Sequence, residues 1–241
     1  MPRYVLFALI VLVMAGCGGG DEPSEPASDE PVATPDGTVA VAALGDSITA
    51  GNPLYDPDPE QRAAAGFGDD PESQYQHWAA EANQDLTFVN CGVLGERTDE
   101  IAARLPECAE EADIVIVQGG INDIAQALGT DPQSMSDTVA SAAANIDGML
   151  AEAGEMGLDA AVANVLPWNN GHPAADIPID ELNVEIAEIA KRRGVPLLNF
   201  HDALESPEVP GTMAPEYTDD GDHPSIEGYR VLGELVAKKL G

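Results

Sequence analysis

The residues best suited to chemistry in this sequence are a serine and a histidine, each inside a short polar cluster. Ser47 lies in the pentapeptide Gly-Asp-Ser-Ile-Thr at positions 45–49, and His223 follows Asp220 by three residues. A serine hydroxyl becomes a useful nucleophile when a base removes its proton, and histidine is the side chain that titrates near neutrality. A neighbouring carboxylate fixes the histidine tautomer and stabilises the imidazolium. These residue types could therefore supply a nucleophile, a general base and an orienting acid.

Two further clusters could stabilise negative charge on a carbonyl oxygen. Gly95 lies in the segment Asn-Cys-Gly-Val-Leu-Gly-Glu-Arg-Thr at 90–98, and Asn122 lies in Gln-Gly-Gly-Ile-Asn-Asp at 118–123. Preorganised hydrogen-bond donors are needed where that charge develops. Glycine lets the backbone approach a substrate closely, and an asparagine amide donates directly.

Each of these residues also has a plain structural interpretation. Ser47 could cap the helix that follows it, while Gly95 and Asn122 could be turn residues. Asp219 and Asp222 compete with Asp220 for the orienting role. The joint occurrence of the clusters favours catalysis, because no structural requirement demands all of them at once.

The order of apolar runs shows which elements must position these clusters. Short apolar runs typical of buried strands alternate with segments that repeat apolar residues at helical spacing. This alternation predicts a parallel sheet covered by helices on both faces, with ligands bound at the carboxyl ends of its strands. Pro196 marks the fifth run as an edge strand. The predicted strands are 39–44, 86–90, 114–117, 160–165 and 195–200, and the predicted helices are 73–82, 99–105, 137–156, 179–193 and 225–240.

Taken together, the four polar clusters resemble those of the SGNH (GDSL) hydrolase family of esterases and lipases. The resemblance covers residues 38–241 and implies a flavodoxin-like three-layer α/β/α sandwich with a five-stranded parallel sheet. It implies that Ser47 is the nucleophile, with Asp220 as orienting acid and His223 as base. It also implies an oxyanion hole made by the backbone N–H groups of Ser47 and Gly95 and the side chain of Asn122.

The resemblance implies cleavage of a carboxylic ester through an acyl-enzyme. The polar segment 52–76 and the absence of a long apolar lid favour short acyl groups on polar or carbohydrate alcohols. Trp78 and Trp168 could shape such a cleft or belong to the core. The alternatives are a lysophospholipase, a thioesterase, an acyltransferase or a surface-binding lipoprotein without catalysis.

The net charge and the positions of the histidines indicate which nucleic-acid and metal partners to expect. The net charge is -33, so the surface repels nucleic acid. His77 and His201 have no metal-ligand spacing, and His172 follows the fourth run and could line a pocket. We therefore expect no metal and no cofactor, and the oligomeric state stays open.

The N-terminus has the layout of an export signal. Arg3 precedes an apolar run that is too short to span a bilayer, and Met-Ala-Gly-Cys at 14–17 resembles a bacterial lipobox. The sequence predicts a lipoprotein signal peptide over 1–16, lipidation of Cys17, and a disordered acidic linker over 17–37. We expect an extracytoplasmic, membrane-anchored protein of a bacterium, or alternatively a secreted soluble one.

The remaining two cysteines, Cys91 and Cys108, could form a disulfide outside the cytoplasm. That bond would close a loop around the Gly95 cluster.

Overall fold

The centre of the fold is a five-stranded sheet. The computed structural model describes residues 37–51 and 70–241. All neighbouring strands of the sheet are parallel, and their spatial order is β2-β1-β3-β4-β5. The prediction of a five-stranded parallel sheet is confirmed. The strands are β1 (Val39–Gly45), β2 (Leu86–Gly92), β3 (Ile114–Val117), β4 (Asp159–Ala163) and β5 (Leu197–Leu198).

Helices connect these strands and flank the sheet. A 3-10 turn at Pro71–Ser73 precedes α2, and a second one lies at Asn169–Gly171. The α-helices are α1 (Ser47–Ala50), α2 (Tyr75–Ala82), α3 (Thr98–Ala103), α4 (Leu105–Cys108), α5 (Ile121–Ala127), α6 (Pro132–Glu155), α7 (Asp176–Arg193), α8 (Phe200–Leu204) and α9 (Ile226–Leu240).

Each face of the sheet buries its own apolar core. Ala42 and Leu44 of β1 pack with apolar residues of α3 to α7, whereas Val41 and Ala43 pack with α1, α2, α8 and α9. Successive residues of a strand point to opposite faces, so a strand buried on both sides is apolar throughout. This explains the unbroken apolar runs and confirms the flavodoxin-like three-layer sandwich.

The predicted fifth strand was too long. β5 contains only two residues, and Phe200 begins α8, where the Asn199 side chain accepts a hydrogen bond from the Asp202 N–H. The apolar character of this segment reflects the buried side of a short helix as much as a strand. β5 pairs with β4 alone, so its predicted edge position is confirmed.

Several helix boundaries also differ from the predictions. α6 begins at Pro132 instead of residue 137, because the Asp131 carboxylate caps its first turn by accepting from two backbone N–H groups. The predicted helix over 99–105 is divided in two: α3 ends at Ala103, and Pro106 lies in the first turn of α4. α1 and α5 were not predicted, since helices this short carry little periodicity.

The predicted signal peptide at 1–16, Cys17, and the linker up to residue 36 lie outside the described residues. The same holds for 52–69, most of the polar segment expected near the site. Among residues 37–51 and 70–241, no helix is both long enough and apolar enough to cross a bilayer.

Candidate active site

Ser47 lies at the junction between β1 and α1. Asp46 is the N-cap of α1, and its Oδ1 accepts a hydrogen bond of 2.9 Å from the Ile48 N–H. The capping role considered for Ser47 therefore belongs to its neighbour. The Ser47 side chain is left to face His223.

The serine, the histidine and one carboxylate form a continuous hydrogen-bonded chain. His223 Nε2 lies 3.1 Å from Ser47 Oγ, and His223 Nδ1 lies 2.9 Å from Asp220 Oδ2. Asp220 Oδ1 accepts from the backbone N–H groups of Asp222 and His223, both at 2.8 Å. Burial acts to raise the pKa of Asp220, but its hydrogen bonds to His223 and Asp222 outweigh burial and lower the pKa. A carboxylate that stays charged holds the imidazole with Nε2 facing the serine.

The structure separates Asp220 from its two acidic neighbours. The Asp222 carboxylate accepts a hydrogen bond from the Trp168 indole N–H and does not bond the histidine ring. Asp219 is exposed and lines a cleft of about 230 Å³ beside His223. Asp220 is therefore the aspartate placed to orient the His223 ring.

In the described part of the chain, a single group of potential metal ligands lies close together: Asp220, Asp222 and His223. Asp220 bonds His223, and Asp222 bonds an indole. Each member thus has a partner in the arrangement around Ser47, so the geometry alone gives no reason to invoke an ion.

The three candidate oxyanion donors are two backbone N–H groups and one side-chain amide. Gly95 has φ +78°, a left-handed conformation that favours glycine. Neither its N–H nor that of Ser47 donates to any group within residues 37–51 and 70–241. Asn122 Nδ2 donates to the Glu96 carbonyl at 2.9 Å, and its second hydrogen is left for another acceptor.

The position of Asn122 depends on a glycine before it. Gly120 is the N-cap of α5 with φ +117°, and a Cβ there would lie 2.6 Å from Leu182 Cδ2. Only glycine allows β3 to turn this sharply into α5 against α7. The turn carries Asn122 to the same edge as Ser47.

Burial and hydrogen bonding give Asp46 an unusual pKa. The residue is fully buried, its Oδ2 has no partner among the described residues, and burial raises its pKa from 3.8 to about 6. The Ile48 N–H, Gln118 and the nearby His223 act in the opposite direction but do not outweigh burial. Burial raises the pKa of Tyr75 and Tyr229, two fully buried tyrosines, and the charge of Asp46 raises both further.

Asp123 supports a different loop. Its two carboxylate oxygens accept from the Thr98 N–H at 3.0 Å and from the Thr98 hydroxyl at 2.8 Å. Burial raises the pKa of Asp123. Asp123 therefore holds the start of α3 against the start of α5.

Cys91 and Cys108 form a disulfide with a Cα–Cα distance of 6.0 Å. The bond joins the end of β2 to α4 and closes the loop that carries Gly95. The predicted pairing therefore exists in the structure.

The other sequence candidates have contacts of their own. His201 is buried, with Nδ1 2.9 Å from the Val165 carbonyl, and His172 contacts the Asp176 carboxylate. Trp78 packs beneath Gly233 of α9, so the cleft role considered for it is not what its contacts show. His77 stacks edge-on against Trp78.

Sequence reasoning missed two side chains that contact the catalytic loops. Trp168 was considered only as a cleft wall or core residue, yet its indole holds Asp222. Arg104 was not considered at all, although its guanidinium contacts both Gly45 and Glu96. A signal for Arg104 was present: bases are scarce in this chain, and this one closely follows the Gly95 cluster.

The parallel sandwich and the aligned serine, histidine and carboxylate at its edge define the class of the protein as a hydrolase. Residues 43–231 match the GDSL-like lipase/acylhydrolase family, and the chain belongs to that family. It is an ester hydrolase of the SGNH/GDSL type. An arylesterase of Vibrio mimicus is 25% identical over 200 residues, which cover 82% of this chain and 86% of the relative.

Solved structures share the fold. A lipolytic protein of the G-D-S-L family from Desulfitobacterium hafniense has a TM-score of 0.64 at 20% identity, covering 83% of this chain and 99% of its own. A variant of an acetyl-xylooligosaccharide esterase from Geobacillus stearothermophilus has a TM-score of 0.64 at 21% identity, covering 85% and 95%. A lipase/acylhydrolase from Enterococcus faecalis has a TM-score of 0.61 at 21% identity, covering 84% and 95%.

Proposed function

We propose that Ser47 cleaves carboxylic esters through an acyl-enzyme. The observation that carries the proposal is the 3.1 Å contact between Ser47 Oγ and His223 Nε2, with Asp220 on the other ring nitrogen. His223 takes the hydroxyl proton as Oγ attacks the carbonyl carbon. The tetrahedral oxyanion is bound by the N–H groups of Ser47 and Gly95 and by the Asn122 amide.

Collapse of this intermediate breaks the bond to the alcohol, which leaves with the proton from His223. Water then attacks the acyl-Ser47 ester while His223 takes one of its protons. The second tetrahedral intermediate releases the carboxylic acid, and the proton returns to Ser47 Oγ. Asp220 stays ionised throughout and stabilises the imidazolium.

We propose short acyl groups on polar or carbohydrate alcohols as the substrate class. The cleft beside His223 is small and is lined by the carboxylates of Asp70, Asp219 and Asp220. With a net charge of -33 on the chain, these groups disfavour anionic substrates such as acidic phospholipids and coenzyme A thioesters. The structural relative named as an acetyl-xylooligosaccharide esterase supports a carbohydrate ester.

We also propose that the enzyme works outside the cytoplasm, attached to a membrane through lipidated Cys17. The support is the lipobox-like sequence and the Cys91–Cys108 disulfide, a bond that persists in oxidising compartments. Labelled fatty acid should be incorporated into the wild-type chain and not into a Cys17→Ser variant. Equal labelling of the two proteins would contradict the anchor.

The test of catalysis compares Ser47→Ala with Ser141→Ala, an exposed serine on α6. We expect Ser47→Ala to lose turnover of aryl acetates and acetylated xylooligosaccharides, while Ser141→Ala keeps it. A fluorophosphonate probe should label the wild type and Ser141→Ala only. Activity retained by Ser47→Ala would refute the assignment, and an unlabelled, inactive wild type would indicate a binding protein.

Acyl length and product analysis distinguish the related activities. We expect acetyl and butyryl esters to react faster than octanoyl esters, lysophospholipids and thioesters. With a sugar acceptor present, free acid should remain the main product. Dominant transfer to the sugar would make the protein an acyltransferase.

A further inference from the structure

We propose that Arg104 and Glu96 form an ion-paired clamp that positions the oxyanion donors relative to Ser47. The inference rests on the proposed function and adds two positioning residues to it. Among the described residues, neither side chain bonds Ser47, Asp220 or His223, so each acts through the loops that it joins.

The guanidinium of Arg104 uses all of its nitrogen atoms. Nε lies 2.9 and 3.1 Å from the two carboxylate oxygens of Glu96, and Nη2 lies 2.6 Å from one of them. Nη1 donates to the Cys91 carbonyl at 2.7 Å, and Nη2 donates to the Gly45 carbonyl at 3.1 Å. The ends of β1 and β2 and the Glu96 loop therefore meet at one planar group.

Two of the three partners of Arg104, Gly45 and Glu96, lie next to residues of the predicted oxyanion hole. Gly45 ends β1, two residues before Ser47. Glu96 directly follows Gly95, and its carbonyl accepts the Asn122 amide at 2.9 Å. The clamp thus connects the loops of all three donors. The Gly45 contact connects it to Ser47, the Glu96 carboxylate to neighbouring Gly95, and the Glu96 carbonyl to Asn122.

The setting makes the clamp more than a surface ion pair. The Arg104 and Glu96 side chains are 26% and 18% exposed, respectively, and two backbone carbonyls also accept hydrogen bonds from Arg104. Charge-assisted bonds in a fixed fork are stronger and more directional than those of an exposed pair. Lysine could not reproduce this fork, since its ammonium is a single point charge.

Arg97 provides a natural contrast on the same loop. Its guanidinium contacts Asp99, Glu100 and Gln126 at the exposed end of α3, and it touches none of the carbonyls near Ser47. An effect specific to the clamp should appear at Arg104 and be absent at Arg97.

The mechanism makes a specific kinetic prediction. Oxyanion donors act on the transition state, and a misplacement of about 1 Å can cost about 100-fold. Loosening the clamp should therefore lower kcat and leave ground-state binding nearly intact. The hydrogen bond between His223 and Asp220 should be unaffected, so the acid limb of the pH profile should not move.

The experiment compares Arg104→Lys, Arg104→Gln and Glu96→Gln with the control Arg97→Gln and with Ser47→Ala. Turnover of an aryl acetate gives kcat, KM and the pH profile. Inhibition by a trifluoromethyl ketone reports the oxyanion hole, because the ketone forms a tetrahedral oxyanion on the serine. Circular dichroism verifies the fold of each variant.

We expect the three clamp variants to lose roughly 10- to 100-fold in kcat, with KM within about threefold. The inhibition constant of the ketone should rise by a similar factor, and Arg97→Gln should match the wild type. If Arg104→Gln does not fold, Arg104→Lys and Glu96→Gln decide the question.

The clamp is refuted if folded variants keep kcat and ketone affinity, if KM alone rises, or if the acid limb shifts. Failure of the proposed function is a separate result. It would appear as wild-type activity that is absent or unchanged in Ser47→Ala, and it would remove the role of the clamp as well.

Discussion

Replacing Asp46 by asparagine should reduce the loss of folding stability that accompanies a rise from acid to neutral pH in the wild type. A rise in pKa from 3.8 to about 6 on folding means that the folded state favours the neutral carboxyl. At about 1.4 kcal/mol per tenfold change in the dissociation constant, the folded state favours the neutral carboxyl over the charged one by about 3 kcal/mol more than the unfolded state does. Asparagine keeps the oxygen that accepts from the Ile48 N–H and carries no charge.

The sign follows from proton binding. Because the folded state holds the Asp46 proton more tightly, the carboxyl stabilises the fold fully below pH 3.8 and loses that contribution as pH rises through about 6. Between about pH 5 and pH 7.5, the free energy of unfolding of the wild type should fall by about 1.4 kcal/mol more than that of Asp46→Asn. Denaturant unfolding of both proteins across this range, with the disulfide intact, measures the difference.

The remaining acidic surface also responds to pH, so the test uses differences between variants. Asp85→Asn removes an exposed carboxylate near the start of β2 and serves as the control. Asp85→Asn shows how much of any pH-dependent difference comes from removing one surface carboxylate, and the Asp46→Asn difference is measured against it. A constant difference between wild type and Asp46→Asn would refute the raised pKa and the burial argument behind it.

Three further outcomes are expected. Replacing Cys91 and Cys108 by serine should lower the free energy of unfolding by about 3 kcal/mol, because the bond closes a loop between residues 17 apart. Asp220→Asn should lower kcat roughly 10³- to 10⁴-fold, whereas Asp222→Asn should change kcat by about threefold or less, since asparagine still accepts from the indole. Gly92→Ala should destabilise the protein by about 3 kcal/mol, because its Cβ would lie 2.0 Å from a backbone nitrogen of α1.

Each of these outcomes has a matched comparison. Gly148 lies exposed in α6 with open space around it, so Gly148→Ala should stabilise by up to about 1 kcal/mol. Equal effects at the two glycines would contradict the packing argument. Equal kinetic losses at both aspartates would contradict the choice of Asp220, and unchanged unfolding without the disulfide would contradict its role.

Much of the fold could be predicted because the strands of a covered parallel sheet are apolar on both faces. The runs beginning at Val39, Leu86 and Ile114 become β1, β2 and β3 from their first residue onward. Phe200 was misassigned because a short apolar run does not distinguish a strand from the buried side of a short helix. α1 and α5 are too short to show a helical period, although their sequences were already singled out for chemistry.

The candidate site could be located from motif spacing, but the contacts that select among its residues could not. Three aspartates precede His223 closely, and the partner of Asp222 is an indole 54 residues earlier in the chain. Arg104 likewise contacts the ends of β1 and β2 and the Glu96 loop, which are distant from one another in the sequence. Such contacts join positions that no local pattern connects.

The hydrogen bond between Ser47 and His223 joins residues 176 positions apart, near opposite ends of the folded part of the chain. A ribosome that adds about 5–20 residues per second needs roughly 9–35 s to proceed from one to the other. During that interval the growing chain carries the proposed nucleophile without its proposed base. α9 follows His223 in the chain and packs on α2. The proposed nucleophile and base can therefore meet only after synthesis has passed His223.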